Sequence, residues 1–389
     1  MGLESDAQRA ARRRRAAGVV ADFDGDRLSL ARRLARTTRA ELARRLELSP
    51  AAISQFERGQ SRPTAPVAAE LGLALGVSGE FFRRNHPVPT LPGHAAHFRS
   101  LRSTPALSRD QALAFGELAL GVAEVVETYV DLPAVDLPWV ALPADPGHDD
   151  VAAAARHTRE KLGVPPGPVA HVARLLEACG VLVLRLPEDF VDPRVDAFST
   201  QAGHRPLVLL SPLKNDLVRS RFDASHELGH LVMHHDVEPG SKIVEGQAQG
   251  FAAEFLMPAE QVAPDLPSRY DLERLILAKR KWGTSVRALV YRAHALGIMS
   301  PMVYRRANQD LAQRGNPEIA SLGPPEAPSV LGASADLLER TGIHLNTIAQ
   351  DNNLPVEQLR AVIAAGSDTR PTVRAAAATT APRSWSHRV

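Results

Sequence analysis

Residues 225–235, SHELGHLVMHH, set two histidines four positions apart with a glutamate directly after the first. On a helix, positions i and i+4 share a face, so His226 and His230 can present imidazole nitrogens to one metal ion. Glu227 then stands where its carboxylate can reach a water held by that ion. Catalytic zinc usually keeps three protein ligands and leaves a further position to water, so a third ligand must come from elsewhere. The chain has one cysteine, Cys179, which excludes an internal disulfide and thiolate metal clusters and leaves His, Asp and Glu as donors. Downstream, EGQAQGFAAEFLMP (245–258) offers Glu245, fifteen residues after His230, and Glu254, nine residues further on. Nine residues make about two and a half helical turns, so the two carboxylates face opposite ways and only one can ligate. Two more histidines, His234 and His235, follow on the same segment and are expected at the surface.

Two histidines at helical spacing also occur in helices that bind nothing. Three features favour a metal site: a predicted strand precedes the helix, its surroundings are apolar, and an acidic helix follows at a suitable distance. The chemistry available to such a site is hydrolysis. Zinc lowers the pKa of a water to about 7, and Glu227 is placed to accept the proton and pass it to a leaving amine.

The elements that must position these residues can be read from periodicity. GVLVLRL (180–186), VDAFSTQ (195–201) and RPLVLLSP (205–212) have the β-branched content and flanking breakers of strands, and either of the last two could offer an edge for a substrate peptide. Helices are expected near 216–235 and 244–256, then at 270–280, 284–296 and 300–314. Before the strands come helices at about 149–162 and 168–179, a Pro-rich extended stretch over 131–150, and a long amphipathic helix at 108–130 capped by Ser108. Further forward, short helices follow one another from residue 27 to 84. Thr and Ser caps, Pro50 at a first helical position and Gly59 just past an end mark their limits.

At 389 residues the chain is too long for one ordinary core. The expected division is a basic, disordered arm (1–26), an all-helical domain (27–84), a linker and connecting helix (85–148), a domain carrying the His-Glu-x-x-His segment (149–314), a small helical module (331–365) and a disordered tail (366–389). The fold class is thus multidomain and mainly α, with an α+β central domain around a small sheet. The net charge of +2 hides a local balance: residues 1–62 hold 14 Arg and no Lys against 8 Asp and Glu. A basic end suggests an anionic partner. No apolar run approaches the ~18 residues of a membrane span, and no apolar stretch follows the N-terminal arginines as in a secretory signal. No membrane partner is expected, and the cytoplasm is the expected compartment.

SHELGHLVMH followed by EGQAQGFAAEFLMP resembles the ImmA/IrrE family of metallopeptidases over roughly 150–300. In that family the glutamate that opens the second stretch, twelve residues before its methionine, is the third zinc ligand. Met257 sets this register at Glu245 rather than Glu254. The resemblance implies a zincin-like, gluzincin-type peptidase with zinc held by His226, His230 and Glu245 and with Glu227 as general base. TRAELARRLELSPAAISQFERGQSRP (38–63) in turn resembles the helix-turn-helix of Xre-type phage repressors, over about 27–83. Ala43, Leu48, Ile53 and Phe56 would lock its two helices at a fixed angle. By position in that motif, Ala51, Ser54 and Gln55 face bases, and Arg39, Arg58 and Arg62 face phosphates of double-stranded DNA. Pro50 and Ala51 stand where the family commonly has polar readers, so few side chains remain to hydrogen-bond bases. Together the resemblances imply a DNA-binding regulator, possible as a homodimer, that cleaves a protein substrate such as a helix-turn-helix repressor. The alternative is a DNA-binding regulator whose zincin-like domain is a ligand-sensing or structural module. Glu227 favours the first, since a structural metal site needs no general base.

Overall fold

The computed structural model describes residues 18–84, 89–91, 96–98, 105–187, 195, 197–211, 216–235, 237, 241–315 and 319–367. Its first part is a helical bundle: α1 (Gly25–Leu34), α2 (Arg39–Arg45), α3 (Pro50–Glu57), α4 (Ala65–Leu75) and a 3-10 turn (Gly79–Phe82). The caps lie where the sequence predicts them. Thr38 accepts from the Glu41 N–H and Ser49 from the Ala52 N–H, each at 3.1 Å, and Pro50 opens α3. Such caps satisfy backbone donors that the first helical turn cannot. Leu28, Leu42, Ala43, Ile53, Leu71, Phe81 and Phe82 form the bundle core, with Leu48 and Phe56 packed against it.

One expectation is corrected at the front of this bundle. Residues 18–24, which composition places in a disordered arm, are ordered. Phe23 is buried against the Phe82 ring, the Asp24 N–H donates to the Phe82 carbonyl at 2.7 Å, and Phe23 bridges to Arg83. One buried aromatic outweighs the polar composition around it. Residues 1–17 of the expected arm and 368–389 of the expected tail lie outside the described residues.

The central sheet has the order β1-β3-β4-β2, from Ala96–Phe98, Leu182–Arg185 (β2), Phe198–Thr200 (β3) and Leu207–Leu210 (β4). β2 and β4 run parallel, while β3 is antiparallel to both neighbours. Alternate residues take opposite faces. Leu182, Leu184, Phe198, Leu207 and Leu209 join one apolar cluster; Val183, Ala197, Val208 and Leu210 join another. Both faces are therefore covered, which explains why these strands read as continuous apolar runs. The placement corrects the expected substrate edge. β3 and β4, the two candidates, are interior, and the edges are β1 and β2. β1 has no signature in the sequence, because three residues next to a Pro- and Gly-rich stretch show no periodicity.

On the first face lies α5 (Ala106–Glu127), whose residues 111–120 are buried on all sides. The sequence pattern predicts an amphipathic helix capped by Ser108. Instead it starts two residues earlier, Ser108 is buried inside it, and no side of it is left to solvent in that stretch. The sheet, the helical bundle and the C-terminal module surround it. Gly116 permits the closest approach, since a Cβ there would meet Leu207 and Leu91 side chains at 2.9 Å. Glu117, buried, binds Arg33 of α1 with both oxygens and accepts the Leu91 N–H at 3.0 Å, tying the bundle to the sheet layer. The C-terminal module, α14 (Val330–Arg340), α15 (Leu345–Asp351) and α16 (Val356–Ala365), completes this cluster.

The second face carries α8 (Leu217–Met233), with α6 (His148–Lys161), α7 (Val172–Ala178) and α9 (Lys242–Leu256) around it. A short helix α10 (Ala259–Val262) follows, then α11 (Leu272–Trp282), α12 (Val286–Ala295) and α13 (Pro301–Gln313). Buried Glu326 fixes α8 from below: it pairs with Arg221 and accepts the Val172 and Ala173 N–H groups that open α7.

Candidate metal centre

Two helix starts set the geometry of the site. Asp216 caps α8 by accepting from the Val218 and Arg219 N–H groups, and Ser241 caps α9 through Ile243 and Val244. The cap at Ser241 puts Glu245 in the first turn of α9, where a carboxylate also favours the helix dipole. The two helices approach closely at Gly229, where a Cβ would stand 3.0 Å from the Phe251 ring. A larger residue would push α9 away and carry Glu245 with it.

His226 Nε2 lies 3.1 Å from His230 Nε2, and the rings meet edge to face. Glu245 brings Oε2 to 3.3 Å from His226 Nε2 and Oε1 to 3.6 Å from His230 Nε2. One donor atom from each residue falls within a sphere of contacts no wider than 4.8 Å. Neither Glu245 oxygen has a hydrogen-bond partner among the described residues, although both are buried. A buried carboxylate without donors is costly unless a cation takes their place. Two imidazole nitrogens facing each other and an unsatisfied carboxylate suit a divalent metal of zinc type.

Glu254 stands apart. It is 2% exposed, pairs with Arg292, lies 3.0 Å from Arg156 Nη1 and accepts the Ala259 N–H at 3.3 Å. The half-turn remainder over nine residues aims it away from α8, and its lone pairs are already used.

Two functional candidates, Ser199 and Gln247, carry no sign in the sequence, and a third, His234, is misplaced by it. Ser199, in β3, donates its hydroxyl to Glu227 Oε2 at 2.7 Å, so the strand beneath α8 orients the glutamate. His234, expected at the surface, is 1% exposed. Its Nδ1 lies 3.0 Å from His230 Nδ1 and its Nε2 2.9 Å from Gln247 Oε1 on α9. Burial holds the His234 imidazole below its ordinary pKa, with the Gln247 hydrogen bond pulling the other way. His235 is exposed, as expected. The spacing of His234, four residues past His230, was the available signal; it places a third histidine on the same helix face.

In the helical bundle, Ala51, Gln55, Arg58 and Arg62 are exposed and Ser54 is half-buried. They sit on or just after α3. The Arg39 side chain is half exposed, and its Nε binds Glu57 at 2.5 Å, with Glu57 also held by Arg32. Arg62 donates to the Ala21 carbonyl and Arg58 to the Ser54 carbonyl. The close α1–α3 contact depends on Gly25, where a Cβ would come within 2.3 Å of the Glu57 carbonyl oxygen.

Fold and site define a class: a helix-turn-helix bundle docked on a metallopeptidase-like α+β domain. Comparison with family models agrees. Residues 28–82 match the helix-turn-helix model, and residues 176–294 match that of peptidase family M78, the IrrE N-terminal-like domain. The chain thus joins these two domains in one protein, as the paired motifs imply. The comparison with curated proteins finds no match. Among the described residues no helix is long and apolar enough to cross a membrane.

Proposed function

We propose that this chain is a DNA-binding transcriptional regulator whose second domain is a zinc-dependent endopeptidase acting on another regulatory protein. The observation that supports it most is the meeting of His226, His230 and Glu245 donor atoms beside Glu227, which Ser199 orients. In this reading His226, His230 and Glu245 hold the zinc, which supplies a Lewis acid and lowers the pKa of water at the site towards about 7. Glu227 accepts a proton from the attacking water and returns it to the departing amine. Ser199, by its hydrogen bond to Oε2, holds the Glu227 carboxylate in one orientation between these two transfers. A water-poor setting strengthens each such interaction, and His226, Glu227 and His230 are each 1% exposed.

At the other end, the exposed face of α3 enters the major groove with Ala51, Ser54 and Gln55 towards bases. Gln55 suits adenine through its bidentate amide. Arg39, Arg58 and Arg62 take phosphates, and a dimer on a two-fold site would use two copies of α3. The substrate in this reading is a protein with an extended segment, of which a helix-turn-helix repressor is the first candidate, cut in the cytoplasm during a stress, phage or mobile-element response.

The experiment is direct. Zinc-loaded full-length chain is incubated with candidate repressors and products are mapped by mass spectrometry. Discrete internal cuts that vanish on chelation support the reading. Zinc-loaded chain that regulates a promoter while cutting no repressor replaces it with the sensor reading.

A further inference from the structure

His230 presents two nitrogens to two different neighbours. Nε2 faces His226 and Glu245, and Nδ1 faces His234 Nδ1 at 3.0 Å. A neutral imidazole has one N–H and one bare nitrogen. If Nε2 is to donate its lone pair to a metal, the proton must sit on Nδ1. That proton then points at His234 Nδ1, which must be the bare nitrogen of its own ring. The His234 proton is thereby forced onto Nε2, which lies 2.9 Å from Gln247 Oε1, an acceptor. Every donor in this line meets an acceptor, and no other arrangement of two protons over the two rings does so with Nε2 of His230 bare. The line also ties the end of α8 to α9, the helix that bears Glu245.

We propose that His234, oriented by Gln247, is a positioning residue that fixes His230 in its metal-binding tautomer and ring orientation. The proposal rests on the zinc reading of the site and deepens it. The contrast with the other histidine ligand supports a dedicated role: His226 Nδ1 is buried with no hydrogen-bond partner among the described residues. Among the described residues, orientation by an outer partner is thus supplied at His230 and not at His226. Loss of such a partner typically lowers metal affinity by about 10- to 100-fold.

Two substitutions at position 234 separate the acceptor from the volume it fills. His234→Leu fills the buried space but offers no acceptor. His234→Asn places a side-chain carbonyl oxygen two bonds from Cβ, where Nδ1 stands in the histidine, and so restores the acceptor for His230. Zinc affinity of the full chain is measured by competition with a chromophoric chelator. The expected result is a loss of about 10- to 100-fold for His234→Leu and near wild-type affinity for His234→Asn. Nitrogen chemical shifts of the imidazoles, read by NMR on the wild-type chain, should report His234 protonated at Nε2 and His230 at Nδ1. The shifts decide the matter even if His234→Leu does not fold. Wild-type chain that holds no zinc overturns the site and this inference with it. Wild-type chain that holds zinc, with His234→Asn as weak as His234→Leu or with His234 protonated at Nδ1, overturns the inference alone.

Discussion

Glu245 and Glu254 lie on one helix, and their substitution should produce opposite losses. Glu254→Ala removes the partner of Arg292, whose side chain is 11% exposed, and leaves the Ala259 N–H without its acceptor. Breaking a buried pair from one side costs about 3–5 kcal/mol. Arg156, 52% exposed, adds at most about 1 kcal/mol, as surface pairs do. Arg292 keeps its Nε bond to the Met257 carbonyl, so the lower end, about 3 kcal/mol, applies. For a unit of this size that is a fall in melting temperature of about 6–12 °C. Glu245→Ala removes a buried carboxylate that receives no hydrogen bond among the described residues, so the metal-free chain should lose no stability and its melting temperature should hold or rise. Its zinc, however, should be lost. The assay is thermal unfolding of chelator-treated proteins together with zinc content after dialysis at a temperature where each is folded. Glu254→Ala that loses its zinc while Glu245→Ala keeps it would refute the ligand assignment. An unchanged melting temperature in Glu254→Ala would refute the buried-pair argument.

Two further outcomes are expected. Ser199→Ala frees the Glu227 carboxylate from a hydrogen bond to a charged group, worth about 1.5–3 kcal/mol; peptide cleavage should fall by roughly 10- to 100-fold with zinc content unchanged, and equal rates would remove Ser199 from the account. DNA binding by the full chain should fall steeply between about 50 and 200 mM salt, because phosphates supply most contacts, and Gln55→Ala should flatten sequence preference more than it weakens binding; a chain indifferent to DNA at low salt would contradict this.

The sequence carried more of the site than of the fold around it. His226, His230 and Glu227 were legible because helical spacing converts directly into a shared face. Glu245 was separable from Glu254 by spacing only as an either-or, and the register to Met257 chose between them. Ser199 and Gln247 were not legible: each acts from another element, and their partners depend on how β3 and α9 pack on α8. His234 was visible but misplaced, since a second histidine beside an exposed one gives no local sign that α9 covers it. Among the elements, caps such as Thr38 and Ser49 fixed helix starts, whereas β1 and the ordered segment before α1 depend on distant partners. Phe23 needs Phe82, and residues 96–98 need β3.

The central claim is that Glu227 moves the proton in a hydrolysis that the metal site supports. Glu227→Gln keeps the side chain's length, its hydrogen bond with Ser199 and all three proposed ligands, but it cannot accept a proton. Cleavage of a repressor substrate by the two proteins, measured at equal zinc content, is the most direct test. The account predicts a fall of about 10²- to 10⁴-fold with zinc content and DNA affinity unchanged. Equal cleavage by Glu227→Gln and the wild-type chain would contradict it.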